Sequence, residues 1–294
     1  AGPGGGVRPG RLAATSSVER GNSVIHLWDA DTGRRVRTIV KEPRASMSGL
    51  AFSPDGTTVA GAGRFGDAEV RVWDVGTGRV RLTLAGGEGG CLDVAFSPDG
   101  RPLASGSVRT HRTGQSDGRV CVWDAATGAK LWETGGVPDG VWLVRFTPDG
   151  RHLLAGAATV HVYEVDTGRP AGDPFPPGGR VTGLSVSPDG KLVATASFSG
   201  RVRVWDLAAR RTVPYRGPKG QSHDVAFSPD GRSLVAQGPA GEAVVFDWAT
   251  GATVASFAGD PEGRRYAFSA DGRRLVTAGN RESTAVVWDV PVRR

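Results

Sequence analysis

Seven aromatic–acid pairs punctuate the chain at nearly even intervals, and a rhythm of this kind leaves few folds open. The pairs are Trp28-Asp29, Trp73-Asp74, Trp123-Asp124, Tyr163-Glu164, Trp205-Asp206, Phe246-Asp247 and Trp288-Asp289. Successive aromatics lie 45, 50, 40, 42, 41 and 42 residues apart. A fixed period in this range marks a solenoid, a propeller or an array, in which each unit hides its apolar side only against its neighbours.

A second pattern runs in phase, as Phe52-Ser-Pro-Asp-Gly56 and its equivalents at residues 96–100, 146–150, 186–190, 227–231 and 268–272. Between the two patterns sit short runs rich in Val, Leu, Ala and Thr, such as 103–107 and 120–123, bounded by turn residues. Such runs read as strands. No stretch reads as a helix. The 45 glycines and 19 prolines fall mostly at fixed places in the repeat, where turns need them. Residues 1–10 are the exception and read as disordered or as the remnant of an upstream segment, leaving 11–294 as a single domain.

Take 91–134 as the model unit. Strand a is 91–97, Ser97-Pro98-Asp99-Gly100 turns the chain, strand b is 102–107 and strand c is 119–123; after a second turn, strand d is 129–134. Proline presets φ at the second turn position and glycine accepts the left-handed conformation at the fourth. A lone four-stranded meander with apolar residues on both faces, here Val94, Phe96, Leu103, Val120 and Val122, cannot hide them from water. Radial stacking covers both faces and leaves only short edges, which is the logic of a β-propeller.

At these residues the chain resembles the WD-repeat family of β-propellers, from Arg11 to Val290. It looks like the divergent bacterial type, because no Gly-His dipeptide precedes strand a. The family's network of His, strand-b Ser or Thr, turn Asp and strand-c Trp would keep only Ser107, Asp117 and Trp123 here. The resemblance implies an all-β fold, a seven-bladed β-propeller of four-stranded antiparallel blades. The first repeat supplies only strands b, c and d, near 12–17, 23–28 and 35–40, and the last only a, b and c, so 26 strands are expected. In ring-closed relatives the closing strand comes from the N-terminal end, so the resemblance implies that residues upstream of Ala1 supply the two others and that the chain is expected to be a fragment of a longer protein.

The net charge of +6 permits attraction to nucleic acid. Much of it, however, is arginine placed just after turn glycines, as at Arg34, Arg79, Arg101, Arg151, Arg169, Arg232 and Arg273, and so is spread around a rim. A nucleic-acid surface would need Arg109, Arg112, Arg180, Arg216, Lys219, Arg264 and Arg281 to form one patch. Acids on the same loops, Glu19, Asp139, Asp173, Asp260, Glu262 and Glu282, oppose it. The two cysteines, Cys91 and Cys121, fall on first and third strands of one repeat, roughly 9 to 10 Å apart across the intervening strand, and read as free thiols of a reducing compartment. No run of 18 apolar residues and no signal-like segment is present, so a cytoplasmic protein that does not span a membrane is expected.

Catalysis finds no support in the sequence. Gly114-Gln-Ser116-Asp-Gly118 matches the string of a nucleophile elbow but lies between strands b and c, where the required strand-to-helix turn is missing. His26, His111, His152, His161 and His223 show no metal-ligand spacing, and 86–90 lacks the Lys of a phosphate-binding loop. No catalytic residue, metal or cofactor is therefore assigned. A small-molecule or metal site gathered around a central channel remains the first alternative, and nucleic-acid binding through the basic loops the second.

Function is then sought where the copies differ. Four places before the aromatic of the second pattern stand Ser48, Leu92, Trp142, Thr182, His223 and Arg264. In WD-repeat relatives this end of strand a, with the b–c and d–a loops, forms the face most used for binding. The longest b–c insertion, 108–114, carries Arg109, His111 and Arg112 and reads as basic and mobile; Phe175 in 173–177 reads as either a tucked residue or an exposed anchor. Loops on a rigid scaffold carry binding residues, and aromatic and Arg side chains carry most interface energy. The expected function is a non-catalytic docking or sensor module of a larger bacterial regulatory protein, a monomeric propeller taking a protein partner rather than nucleic acid or membrane.

Overall fold

A computed structural model of the chain describes residues 12–19, 22–43, 46–64, 68–86, 89–176, 178–258, 265–278 and 285–291. Residues 1–10 and Arg264 lie outside the described residues. The fold is all-β, with seven small antiparallel sheets as the blades of a seven-bladed β-propeller. The chain divides into two compact units, Ala1–Gly135 and Gly136–Arg294.

In the first unit, blade one holds Leu12–Glu19, Asn22–Asp29 and Arg35–Pro43. Blade two holds Ser46–Phe52, Thr58–Arg64, Glu69–Asp74 and Val80–Ala85. Blade three holds Gly90–Phe96, Pro102–Thr110, Ser116–Asp124 and Lys130–Pro138, the last running into the second unit. That unit continues with blade four, Leu143–Phe146, His152–Gly156 and Val160–Glu164, and blade five, Val181–Val186, Leu192–Ser197, Val202–Asp206 and Arg211–Val213. Blade six holds Ala226–Phe227, Ser233–Gln237, Ala243–Asp247 and Thr253–Phe257; blade seven holds Arg265–Phe268, Arg274–Ala278 and Ala285–Asp289.

The three-stranded first and last blades agree with the sequence. Blade four does not, and 25 strands rather than 26 stand among the described residues. Its outer segment touches strand c only at two isolated bridges, Tyr163 with Pro170 and Val160 with Phe175. Proline lacks the N–H that a ladder needs. Pro170, Pro174 and Pro176 therefore cannot continue one.

Both repeat patterns are turn chemistry. In all six copies of the second, a hydroxyl donates to the aspartate two residues on, at 2.5–2.6 Å: Ser53 to Asp55, Ser97 to Asp99, Thr147 to Asp149, Ser187 to Asp189, Ser228 to Asp230 and Ser269 to Asp271. The acid of the aromatic–acid pair plays a similar part after strand c, where Asp74, Asp124 and Asp247 each accept the N–H three residues on at 2.7–2.8 Å. Its aromatic partner goes inward. Trp73 and Trp123 are each 2% exposed.

The core sits between successive blades, as the two-faced apolar pattern demands. Ile25, Leu27 and Ile39 of blade one meet Met47, Val59 and Trp73 of blade two. Val70, Val72 and Leu84 of blade two meet Cys91, Leu103 and Trp123 of blade three. In the second unit Leu143, Leu154 and Val162 meet Val181, Leu184 and Trp205, and Ala194 and Val204 meet Val225, Phe227 and Phe246. Each fully buried Leu or Val contributes roughly 1.5–3 kcal/mol over the exposed state.

Candidate interaction surface

The divergent strand-a position owes its variability to a local break in the ladder. The pairing of strands a and b shifts register between Met47 and Leu50, Cys91 and Asp93, and Val181 and Gly183. Ser48, Leu92 and Thr182 sit in these bulges, where a side chain is released from the strand's alternation. The residue that follows is spent on packing: a Cβ on Gly49 would lie 2.8 Å from the Asp93 Cα, and one on Gly183 2.6 Å from the Asp224 Cα. Each Asp thus fits the gap left by a glycine of the preceding blade.

The six candidates at that position divide. Ser48 Oγ donates to the Cys91 carbonyl at 2.8 Å and staples blade two to blade three, while Leu92 is only 7% exposed. Thr182 Oγ1 is buried without a hydrogen-bond partner, and the Thr182 carbonyl accepts from Arg265 Nη1 at 3.3 Å. Trp142 and His223 remain partly exposed at the strand ends of blades four and six.

The 108–114 insertion is not the loose basic loop expected. Strands b and c of blade three run on to Thr110 and Ser116, and His111 N–H to the Gln115 carbonyl at 2.8 Å closes the tip. Asp117 gathers the charge, with Arg109 Nε at 3.4 Å and His111 Nε2 at 3.0 Å from its Oδ1. Burial would raise the Asp117 carboxyl, but the His111 hydrogen bond and the Arg109 charge outweigh it and hold the group below its ordinary value. Arg112 at the tip is exposed. Asp117 is thereby committed to the hairpin, and Ser107 bonds the Arg119 backbone. The Trp–hydroxyl bond of the family network occurs instead in other blades, as Trp28 to Thr15, Trp205 to Thr195 and Trp288 to Thr277, at 2.9–3.1 Å.

Of the two readings of Phe175, tucked residue or exposed anchor, the structure takes the tucked one, and its place among the candidate binding residues is corrected. It is 2% exposed, its ring centroid lies 5.1 Å from that of Trp205, and its backbone exchanges both hydrogen bonds with Val160. An aromatic flanked by prolines in a loop looks available. Here the seam between blades four and five swallows it.

What the sequence missed lies beside Trp142. The Arg180 guanidinium sits 4.3 Å from the Trp142 ring centroid and 4.7 Å from that of Phe198, and Phe198 approaches His223 at 6.4 Å. Phe198 is 63% exposed, the most exposed large apolar residue among those described. Three blades contribute to this strip. Trp142 comes from the end of strand a in blade four, Arg180 from the segment entering blade five, Phe198 from its b–c turn, and His223 from the entry to blade six.

The strip is held in place by backbone. Phe198 N–H donates to the Arg180 carbonyl at 2.8 Å, and Ser222 N–H donates to the Gly200 carbonyl at 3.0 Å. Gly200, at φ 78°, lies so close to blade six that a Cβ would come within 2.6 Å of Gln221 Cβ. Trp142 Nε1 donates to the Asp139 carbonyl at 2.9 Å. Trp142 and His223 stand out in the sequence as divergent positions and Arg180 only as one of several dispersed cations; Phe198 in its Ser-Phe-Ser-Gly turn carries no signal beyond being an aromatic in a turn.

Strand a of blades four and seven carries Arg145 and Arg265, and Asp224 stands just before strand a of blade six. Burial drives the Asp224 carboxyl up despite both arginines, and its Oδ2 accepts Tyr266 N–H at 2.8 Å. Among the described residues no group of three or more His, Cys, Asp or Glu could hold a metal ion. Among the same residues no helix is long and apolar enough to cross a membrane.

Comparison with known proteins bears on this surface. The family model for the WD domain, G-beta repeat, matches residues 33–74, 78–124 and 175–206. An uncharacterised WD repeat-containing protein of Synechocystis sp. is 38% identical over 76 residues, 26% of this chain and 21% of that protein. A periodic tryptophan protein 2 homolog of Neurospora crassa is 39% identical over 74 residues, 25% of this chain and 8% of the relative. The nuclear distribution protein PAC1 of Arthroderma benhamiae is 36% identical over 110 residues, 34% of this chain and 23% of that protein. In each case the aligned stretch spans less than a quarter of the relative.

Proposed function

We propose that this chain, a seven-bladed protein of WD repeats, is a non-catalytic docking module that binds a protein partner on the face carrying Trp142, Arg180, Phe198 and His223. WD-repeat propellers generally mediate protein–protein interactions. One observation carries the assignment to this face: an aromatic 63% exposed, with the Arg180 guanidinium 4.7 Å from its ring centroid. A single exposed apolar residue means little on its own. Rigid aromatics beside Arg, prepaid in conformational entropy, are what interface hot spots are made of.

The alternative nucleic-acid surface loses support from the geometry, because Arg109 turns toward Asp117 and the Arg180 guanidinium already lies over the Trp142 and Phe198 rings. Selection of a random dodecapeptide display library on the immobilised chain tests the face. Most clones recovered on the native chain should bind Phe198→Ser at least about tenfold more weakly, a hot-spot effect, and bind a rim variant, Leu131→Ser, as before. Clones indifferent to Phe198→Ser would move the interface elsewhere.

A further inference from the structure

Arg180 is the unusual member of the strip. Its guanidinium carbon lies over both the Trp142 and the Phe198 ring, 4.3 and 4.7 Å from their centroids. A guanidinium directs all five of its N–H bonds outward in its own plane. With two rings bordering the group, its N–H edge is what it offers for directional recognition. Among the described residues no carboxylate, carbonyl or hydroxyl meets that edge. Arg71 and Arg119, by contrast, bond Glu69 and Glu133, and Arg210 bonds the carbonyls of Ala171 and Asp173.

We infer that the Arg180 N–H edge is a receptor for a single carboxylate, supplied by an Asp or Glu of an extended peptide segment whose adjacent apolar side chain lies on Phe198. The inference rests on the proposed docking face and adds the chemistry of what it binds. Three observations converge on it. The flat two-toothed edge matches the two oxygens of a carboxylate, and such paired charge-assisted bonds are among the strongest available. The two rings beside the guanidinium take the place of some of its water, so that the charge is less screened than on an open arginine. The exposed Phe198 ring, 63% accessible, offers apolar area within one residue's reach of the charge.

Competing anions fit less well. A phosphate site gathers several cations around one group; here a single guanidinium stands between two rings. A nucleobase needs an open π-face to stack on. Arg180 already lies over one face of each ring.

The test is a membrane-bound array of decapeptides, each made three times: with Asp or Glu, with the matching Asn or Gln, and with phosphoserine at the same place. It is probed with the native chain, Arg180→Gln, Arg180→Lys and Phe198→Ser, alongside a single-stranded oligothymidine. The expected result is at least tenfold weaker binding to the amide twins, a difference erased by Arg180→Gln and partly kept by Arg180→Lys. The amide comparison leaves the protein untouched, so an unfolded variant cannot imitate it. Peptides that need Phe198 but do not distinguish acid from amide would overturn the carboxylate receptor while leaving the docking face in place. Preference for phosphoserine or for the oligonucleotide would overturn it too. Binding insensitive to both Phe198→Ser and Arg180→Gln would remove the docking face itself.

Discussion

At the scale of single residues, the chain commits its small side chains where blades meet. Gly183 has no room for a methyl group, because the Asp224 backbone passes 2.6 Å from where the Cβ would be. Gly183→Ala should cost about 1–3 kcal/mol through overpacking. Gly33→Ala is the contrast: the residue lies at φ 67° with open space around it, so only left-handed strain of about 1 kcal/mol applies. Urea unfolding of the two variants should rank them in that order, and equal losses would remove the close-approach explanation. At Phe198 the expectation reverses. Its ring contributes little to folding, so Phe198→Ser should shift stability by less than about 0.5 kcal/mol.

At the scale of elements, the outer segment of blade four depends on a residue in the next blade. Arg210 stands in the turn after strand c where blades one to four have glycine, at φ 51°, and its guanidinium bonds the Ala171 and Asp173 carbonyls. Arg210→Gly relieves left-handed strain but frees those carbonyls. The Ala171 and Phe175 amides, which bond Val162 and Val160, should then exchange hydrogen faster while blade-six amides stay unchanged. Unaltered exchange at both would show that the two bridges suffice. The strand-a to strand-b turns make a second prediction. The Ser or Thr hydroxyl beside Asp55, Asp99, Asp149, Asp189 and Asp271 holds each carboxyl below its ordinary value. A depressed folded pKa stabilises above the unfolded value, near pH 4, and that contribution is lost as pH falls through the folded value. The urea midpoint should therefore decline steadily below about pH 4.5, and Asp189→Asn should flatten part of that decline.

At the scale of the whole chain, the repeat made the blades legible because period, turn chemistry and two-faced apolar strands all demand the same stacking. Blade four escaped because the proline-rich segment after Tyr163 kept the right length while lacking the N–H groups of a strand. The site was less legible than the fold. Trp142 and His223 were visible as departures from the repeat, yet Phe198 acquires meaning only beside Arg180, and Phe175 loses its apparent role only once blade five covers it. Residues 142, 180, 198 and 223 become neighbours through stacking, which no local pattern encodes.

The placement of the two thiols turns one seam into a clock. Cys91 and Cys121 are fully buried between blades two and three, with their sulfurs 3.4 and 3.8 Å from the same Gly86 carbonyl, and burial pushes the Cys121 thiol up to about 11. Only an exposed thiolate attacks a disulfide reagent. Aromatic disulfide added at pH 8 to the native chain should thus colour no faster than this seam parts, timing its opening without any introduced label. Two thiols reacting in one slow phase would mean that the blades separate as a unit; two well-separated phases would mean that strand a of blade three peels away first.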